Sequence, residues 1–203
     1  MTEPVPALWL EDFPRPSVVV EVALAPGAVC RAGWRTGGIP LLTDEDTGCV
    51  PVLEVETSRR RLLVGFDPHE ELRAGHAVLA GQLAAAARAL ALEVGVLVPR
   101  GMTVGVDENG AARGERSSPW ATHVNLRPGA TRVRMEPCEG DVPWLDIVCG
   151  EALCSLSFDV LDVRELRPAY AVVADELAVA CEAFADDVLA VVAAEGREGL
   201  RLG

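Results

Sequence analysis

Between Pro168 and Glu195 the apolar residues Tyr170, Val173, Leu177, Cys181, Phe184, Val188 and Val191 recur in steps of three and four. That spacing places them on one face of a helix, with Asp175, Glu176, Glu182, Asp186 and Asp187 mostly off it, so the fold must offer an apolar surface for the stripe to cover. Leu72, His76, Leu79, Leu83, Ala87 and Leu90 form a second stripe and predict a central helix. Asp67-Pro68-His69-Glu70 reads as its start, with Asp67 accepting from a first-turn amide, Pro68 needing no partner and Glu70 closing a capping box. Gly75 and Gly81 weaken this helix locally.

The rest of the chain reads as short strands. Ser17 to Leu24 is one. Val50 to Glu56 and Arg61 to Phe66 flank the polar turn Thr57 to Arg60 as a hairpin. Val94 to Val98 reads as a strand, and Met102 to Val106 is expected to pair with Ala111 to Glu115. Two more hairpins are expected, Trp120 to Arg127 with Thr131 to Glu136, and Trp144 to Cys149 with Ala152 to Val160. Ala25 to Gly48 reads as loop with a short strand near Val29. Residues 1–16, with four prolines, predict an extended arm, residues 17–195 a single domain, and residues 196–203 a frayed tail. No internal repeat is apparent. The fold class is α+β, mainly antiparallel hairpins packed against two amphipathic helices, one central and one C-terminal.

All 18 basic side chains are arginine, with no lysine. A GxxxxGK[ST] phosphate loop and a lysine Schiff base are therefore excluded. High-GC bacterial codon usage accounts for the bias. A net charge of -13 opposes non-specific binding to nucleic acid or an anionic membrane, and attracts a basic partner. The apolar stretch Ala77 to Val98 carries Gln82, Arg88 and Glu93, too many polar groups for a membrane span. No export signal is evident at the start, so a cytoplasmic location is the expectation.

Six cysteines (Cys30, Cys49, Cys138, Cys149, Cys154, Cys181) form no CxxC and no zinc-like spacing, and read as reduced thiols used as small hydrophobes. In the hairpin around Gly150-Glu151, Cys149 opposes Ala152 and Ile147 opposes Cys154. Leu145, Ile147, Cys149, Ala152, Cys154, Leu156, Phe158 and Val160 then share one apolar face, which predicts unreactive core thiols, a redox pair being the alternative. His69 and His76 lie two helical turns apart, too far for one metal ion, and His76 reads as packed rather than ligating. No metal and no cofactor is expected.

One constellation stands out. A hairpin around Pro128-Gly129 would pair Asn125 with Arg132 and His123 with Arg134, placing His123, Asn125, Arg127, Arg132 and Arg134 on one sheet face. Such a face suits a phosphate, sulfate or carboxylate, with His123 as acid or base. The competing reading is that the acidic side of the terminal helix, or an acidic loop such as Asp44 to Asp46, neutralises these arginines. Thr43 to Gly48 resembles the start of a calcium loop without its closing glutamate, Ser117-Ser118 lacks a nucleophile elbow, and Arg59-Arg60-Arg61 reads as a solvated run. Trp9, Trp34, Trp120 and Trp144 sit beside Pro- or Gly-rich segments and suit loop anchoring or recognition.

With no complete catalytic set, the leading expectation is a non-enzymatic protein that binds a macromolecular, basic partner, as an adaptor, accessory or immunity-type protein does. The alternative is an enzyme or small-ligand protein using the Arg/His face on an anionic substrate.

Overall fold

A computed structural model of the chain describes residues 17–36, 49–67, 69–98, 121–136 and 141–199. The arm 1–16, the acidic turn Thr43 to Gly48, the pairing of Met102 to Val106 with Ala111 to Glu115, Ser117-Ser118, Trp9, Trp120, Cys138 and Pro68 lie outside the described residues.

Among the described residues, eight strands and two long helices follow in the order β1 (Val18–Leu24), β2 (Val29–Thr36), β3 (Cys49–Glu56), β4 (Arg61–Gly65), α1 (Ala74–Leu97), β5 (Ala121–Asn125), β6 (Thr131–Glu136), β7 (Trp144–Cys149), β8 (Ala152–Phe158) and α2 (Pro168–Gly199). They build two four-stranded sheets, one ordered β1-β8-β7-β6 and the other β2-β3-β4-β5. Most pairs are antiparallel, as the expected α+β class requires, but β1 runs parallel to β8 and β4 parallel to β5. Both predicted helices are present, and every residue of the central stripe from Leu72 to Leu90 is buried. In α2 the stripe from Tyr170 to Val188 is buried, and the helix continues past Glu195 to Gly199.

Three local expectations fail. Val94 to Leu97 belongs to α1 rather than to a strand, because Val94, with no exposure, continues the core stripe set by Leu83, Ala87 and Leu90. The helix starts at Ala74, not at Pro68: the Asp67 carboxylate accepts from the His69 amide in a turn, and the cap comes from Arg73, whose amide donates to His76 Nδ1 at 2.9 Å. Residues 29–36 form a full strand, held in register by β3 from Val29 opposite Glu56 to Thr36 opposite Cys49.

The two sheets have one topology. Strands β2-β3-β4 make a meander, α1 follows, and β5 lies parallel beside β4. Strands β6-β7-β8 make a second meander, α2 follows, and β1 lies parallel beside β8. Along the chain this is a tandem repeat of strand, meander and helix in which the first strand of each copy is exchanged into the other copy's sheet. The junctions carry the sequence trace of the repeat: Leu24-Ala25-Pro26-Gly27-Ala28 after β1 and Leu126-Arg127-Pro128-Gly129-Ala130 after β5. In each, the leucine is fully buried, the glycine has positive φ (93° and 80°), and the last alanine amide donates to the carbonyl of the residue after the leucine, Ala25 or Arg127. Proline then glycine at the centre of a turn specifies type II. Its twist splays the flanking strands instead of folding them onto each other, so both turns pass the chain from one sheet to the other.

The helices complete the exchange. They pack on each other, and each makes its closest approach to the other copy's sheet, α2 to β2 and β3 and α1 to β6 and β7. Gly75 permits part of this, since a Cβ there would meet Pro128 Cβ at 3.2 Å. One core results, with Phe66 after β4 stacked on Phe184 of α2 and edge-on to His76. Helix α1 is long and apolar enough to cross a membrane by length and composition, contrary to the count of its polar residues, yet nine of its residues face this core.

Candidate functional site

The basic face expected of a β5–β6 hairpin does not form. Leu63 of β4 pairs with His123 and Gly65 with Asn125, whereas Arg132 and Arg134 of β6 pair with Val148 and Asp146 of β7 in the other sheet. The physical reason is the type II turn at Pro128-Gly129, which redirects the chain. Arg134 lies 3.5 Å from the buried carboxylate of Asp146, which also accepts from the Trp144 indole at 3.3 Å.

His123 acquires different arginines. On its sheet's outer face the row Arg31, Glu54, Leu63, His123 runs across four strands, and Arg35 Nη1 lies 2.9 Å from His123 Nδ1. Arginine has only donors, so Nδ1 accepts and the ring proton resides on Nε2. Partial burial, then the charges of Arg35 and Arg61, hold this imidazole below its usual pKa. Glu54, buried at 8% exposure, accepts from Arg31 Nε at 2.7 Å and from Arg61 Nε. The Arg31 hydrogen bond leads in holding the Glu54 carboxyl below the ordinary range. Glu54 therefore balances Arg31 and Arg61 of its own sheet, neither of them part of the expected basic face.

His123, Asn125 and Arg127 still meet at a cleft of about 410 Å³ between β5 and the inner side of the other sheet, walled by Val20, Ile147 and Cys154. At its rim a hydrogen-bond chain ties the sheets: the Arg127 amide donates to Thr131 Oγ1 at 2.8 Å, which donates to Cys149 Sγ at 3.2 Å, which donates to the Asn125 carbonyl at 3.2 Å. The predicted register of the thiols holds, with Ile147 opposite Cys154 and Cys149 opposite Ala152. Burial pushes the Cys154 thiol up to about 12, while Cys149 is only half-buried. The cysteines among the described residues are free thiols.

Residues not singled out in the sequence make the more pronounced feature. Strand β2 ends its sheet, and among the described residues no strand lies on its outer side. Cys30 and Ala32 of β2 and Val172, Glu176, Val179 and Ala183 of α2 bound a groove of about 470 Å³ along that edge. Val172 and Val179 are 51% and 57% exposed although apolar, and Trp34, two residues beyond Ala32 and so on the same face, is 51% exposed. Asp175, which also pairs with Arg88 at 3.4 Å, and Glu176 add negative charge between the valines, and Arg31 of β2 adds a positive one. Burial, then Glu176, pushes the Cys30 thiol up to about 12, which keeps the groove floor an apolar SH. The legible signal was Val172 and Val179, seven apart on the helix's otherwise polar face.

Among the described residues no three His, Cys, Asp or Glu side chains gather as a metal ion would need. No protein-family model, curated protein or solved structure matches this chain.

Proposed function

We propose that this chain is a non-enzymatic binding protein that captures an extended, basic segment of a partner protein along the outer edge of β2. The observation that carries the reading is the groove itself: a strand edge with no partner strand among the described residues runs beside exposed Val172 and Val179, with Asp175 and Glu176 between them. An edge strand presents unpaired N–H and C=O groups in register, and a segment laid against it gains main-chain hydrogen bonds while alternate side chains find pockets. Its apolar side chains would pack on the valines and its basic ones would reach Asp175 and Glu176. The net charge of -13 speeds encounter with such a segment. A soluble, cytoplasmic setting suits this role.

The test uses seven-residue strand-forming peptides of alternating valine and arginine, followed by fluorescence anisotropy and amide shifts. Binding should perturb Cys30 to Ala32, weaken with salt, and fall at least tenfold in Glu176→Arg and Val179→Asp, both surface changes. Binding indifferent to those substitutions, or centred elsewhere, defeats the reading.

A second reading rests on the cleft that holds His123, Asn125 and Arg127. Its walls are mainly apolar, which favours a small apolar carboxylate over a free phosphate. Arg132 and Arg134 are not part of it. A carboxylate that raises the melting temperature in the native chain and not in Arg127→Ala would support it, and equal shifts in both would not.

A further inference from the structure

The repeat duplicates the groove. Strand β6, like β2, begins its meander and, among the described residues, ends its sheet, and the helix of the other copy lies beside it. Thr131 and Val133 of β6 face Gly75, Val78 and Gln82 of α1 across a groove of about 760 Å³. Val78 is 62% exposed, the counterpart of Val172 and Val179. Both edges carry an arginine, Arg31 in the first lining and Arg132 in the second, but the first also holds Asp175 and Glu176, whereas the described residues of the second lining add no carboxylate.

We infer that the β6–α1 groove is a second strand-acceptor site that takes an extended apolar segment bearing acidic residues, so that one chain holds two segments of opposite charge. The inference rests on the reading of the β2 edge as an acceptor, and it extends that reading by internal symmetry and by charge complementarity. Two tethered segments of one partner, each held at its own edge, would gain avidity beyond either affinity. A single segment would occupy one groove according to its charge.

The probes are two labelled seven-residue peptides, one alternating valine with arginine and one alternating valine with glutamate, titrated separately and together into the full chain. The valine–glutamate peptide should shift the amides of Val78, Gln82, Arg132 and Val133, bind equally well with the other peptide already present, and bring the total to two peptides per chain. Val78→Asp, an exposed change whose folding circular dichroism checks, should weaken the valine–glutamate peptide at least tenfold and leave the valine–arginine peptide unchanged. If the valine–arginine peptide binds and the valine–glutamate peptide does not, or displaces it from β2, the second site is overturned and the first stands. If neither binds, both are overturned.

Discussion

The two copies of the repeat share topology to the strand and differ in the carboxylates that line their edge grooves. Copy one places Arg31, Glu54 and Arg61 in a network across its outer sheet face, while copy two buries Asp146 against Trp144 and Arg134. Copy one's edge groove holds Arg31 with Asp175 and Glu176, and copy two's holds Arg132 with Gln82. What the copies keep is the buried leucine, the proline and the positive-φ glycine of the sheet-to-sheet turn, and the buried Leu72, Ala80 and Leu83, matched by Leu166, Ala174 and Leu177. The difference teaches where the architecture is encoded: the turn and the core hold it, and the surface is free to diverge toward separate binding tasks.

The strongest way to break that comparison is to cut the shared leucines. Leu24→Ala and Leu126→Ala each remove a side chain with no exposure, and each should cost about 2–5 kcal/mol in denaturant unfolding, with similar values for the two. A large loss in one and none in the other would mean that the copies are not structurally equivalent. Next come the turns. Gly27→Ala and Gly129→Ala force a Cβ into positive φ and should each lose about 1–2 kcal/mol, while Gly33→Ala, where φ is ordinary and nothing stands within 4 Å, should cost little.

Smaller effects sharpen the electrostatic contrast. The Glu54 carboxyl is depressed in the folded state, so its contribution is present above the ordinary carboxylate pKa of about 4.3 and is lost as pH falls through the lower folded value. Glu54→Gln should flatten the stability profile in that acid window and leave the profile at higher pH parallel to the native one. The imidazole of His123 should titrate below the usual value of about 6.5, and Arg35→Gln should move its NMR midpoint upward. Finally, native-state alkylation read by mass spectrometry should label exposed Cys49 and spare Cys30, Cys154 and Cys181, whose burial raises each thiol. Rapid labelling of Cys154 would place it outside the core.

Local turn chemistry explains both what was legible and what was not. Gly150-Glu151 has glycine first, at φ 58°, and joins β7 to β8 in the register read from the sequence, Cys149 opposite Ala152. Pro128-Gly129 has glycine second, at φ 80°, and sends the chain away, so the pairings of His123 with Arg134 and Asn125 with Arg132 were lost together. The order of two residues separates a hairpin from a crossover. The repeat, not expected from the sequence, is nonetheless written there beyond the turns: Glu71-Leu72-Arg73 matches Glu165-Leu166-Arg167, and Ala77, Val78, Ala80, Leu83 and Ala84 of α1 match Ala171, Val172, Ala174, Leu177 and Ala178 of α2 at the same offset.

By itself, the amino-acid sequence determined the two helical stripes, the meander hairpins β3–β4 and β7–β8 and the burial of Cys154, because periodicity and short turns act between near neighbours. Only the tertiary structure decided that β1 and β5 would be exchanged, that His123 would meet Arg35 instead of Arg134, and that β2 and β6 would each end a sheet beside a helix. Those outcomes depend on parallel pairing across a helix and on which sheet each helix covers. Partner choice over such distances is settled by the burial of a common core, and no local spacing carries it.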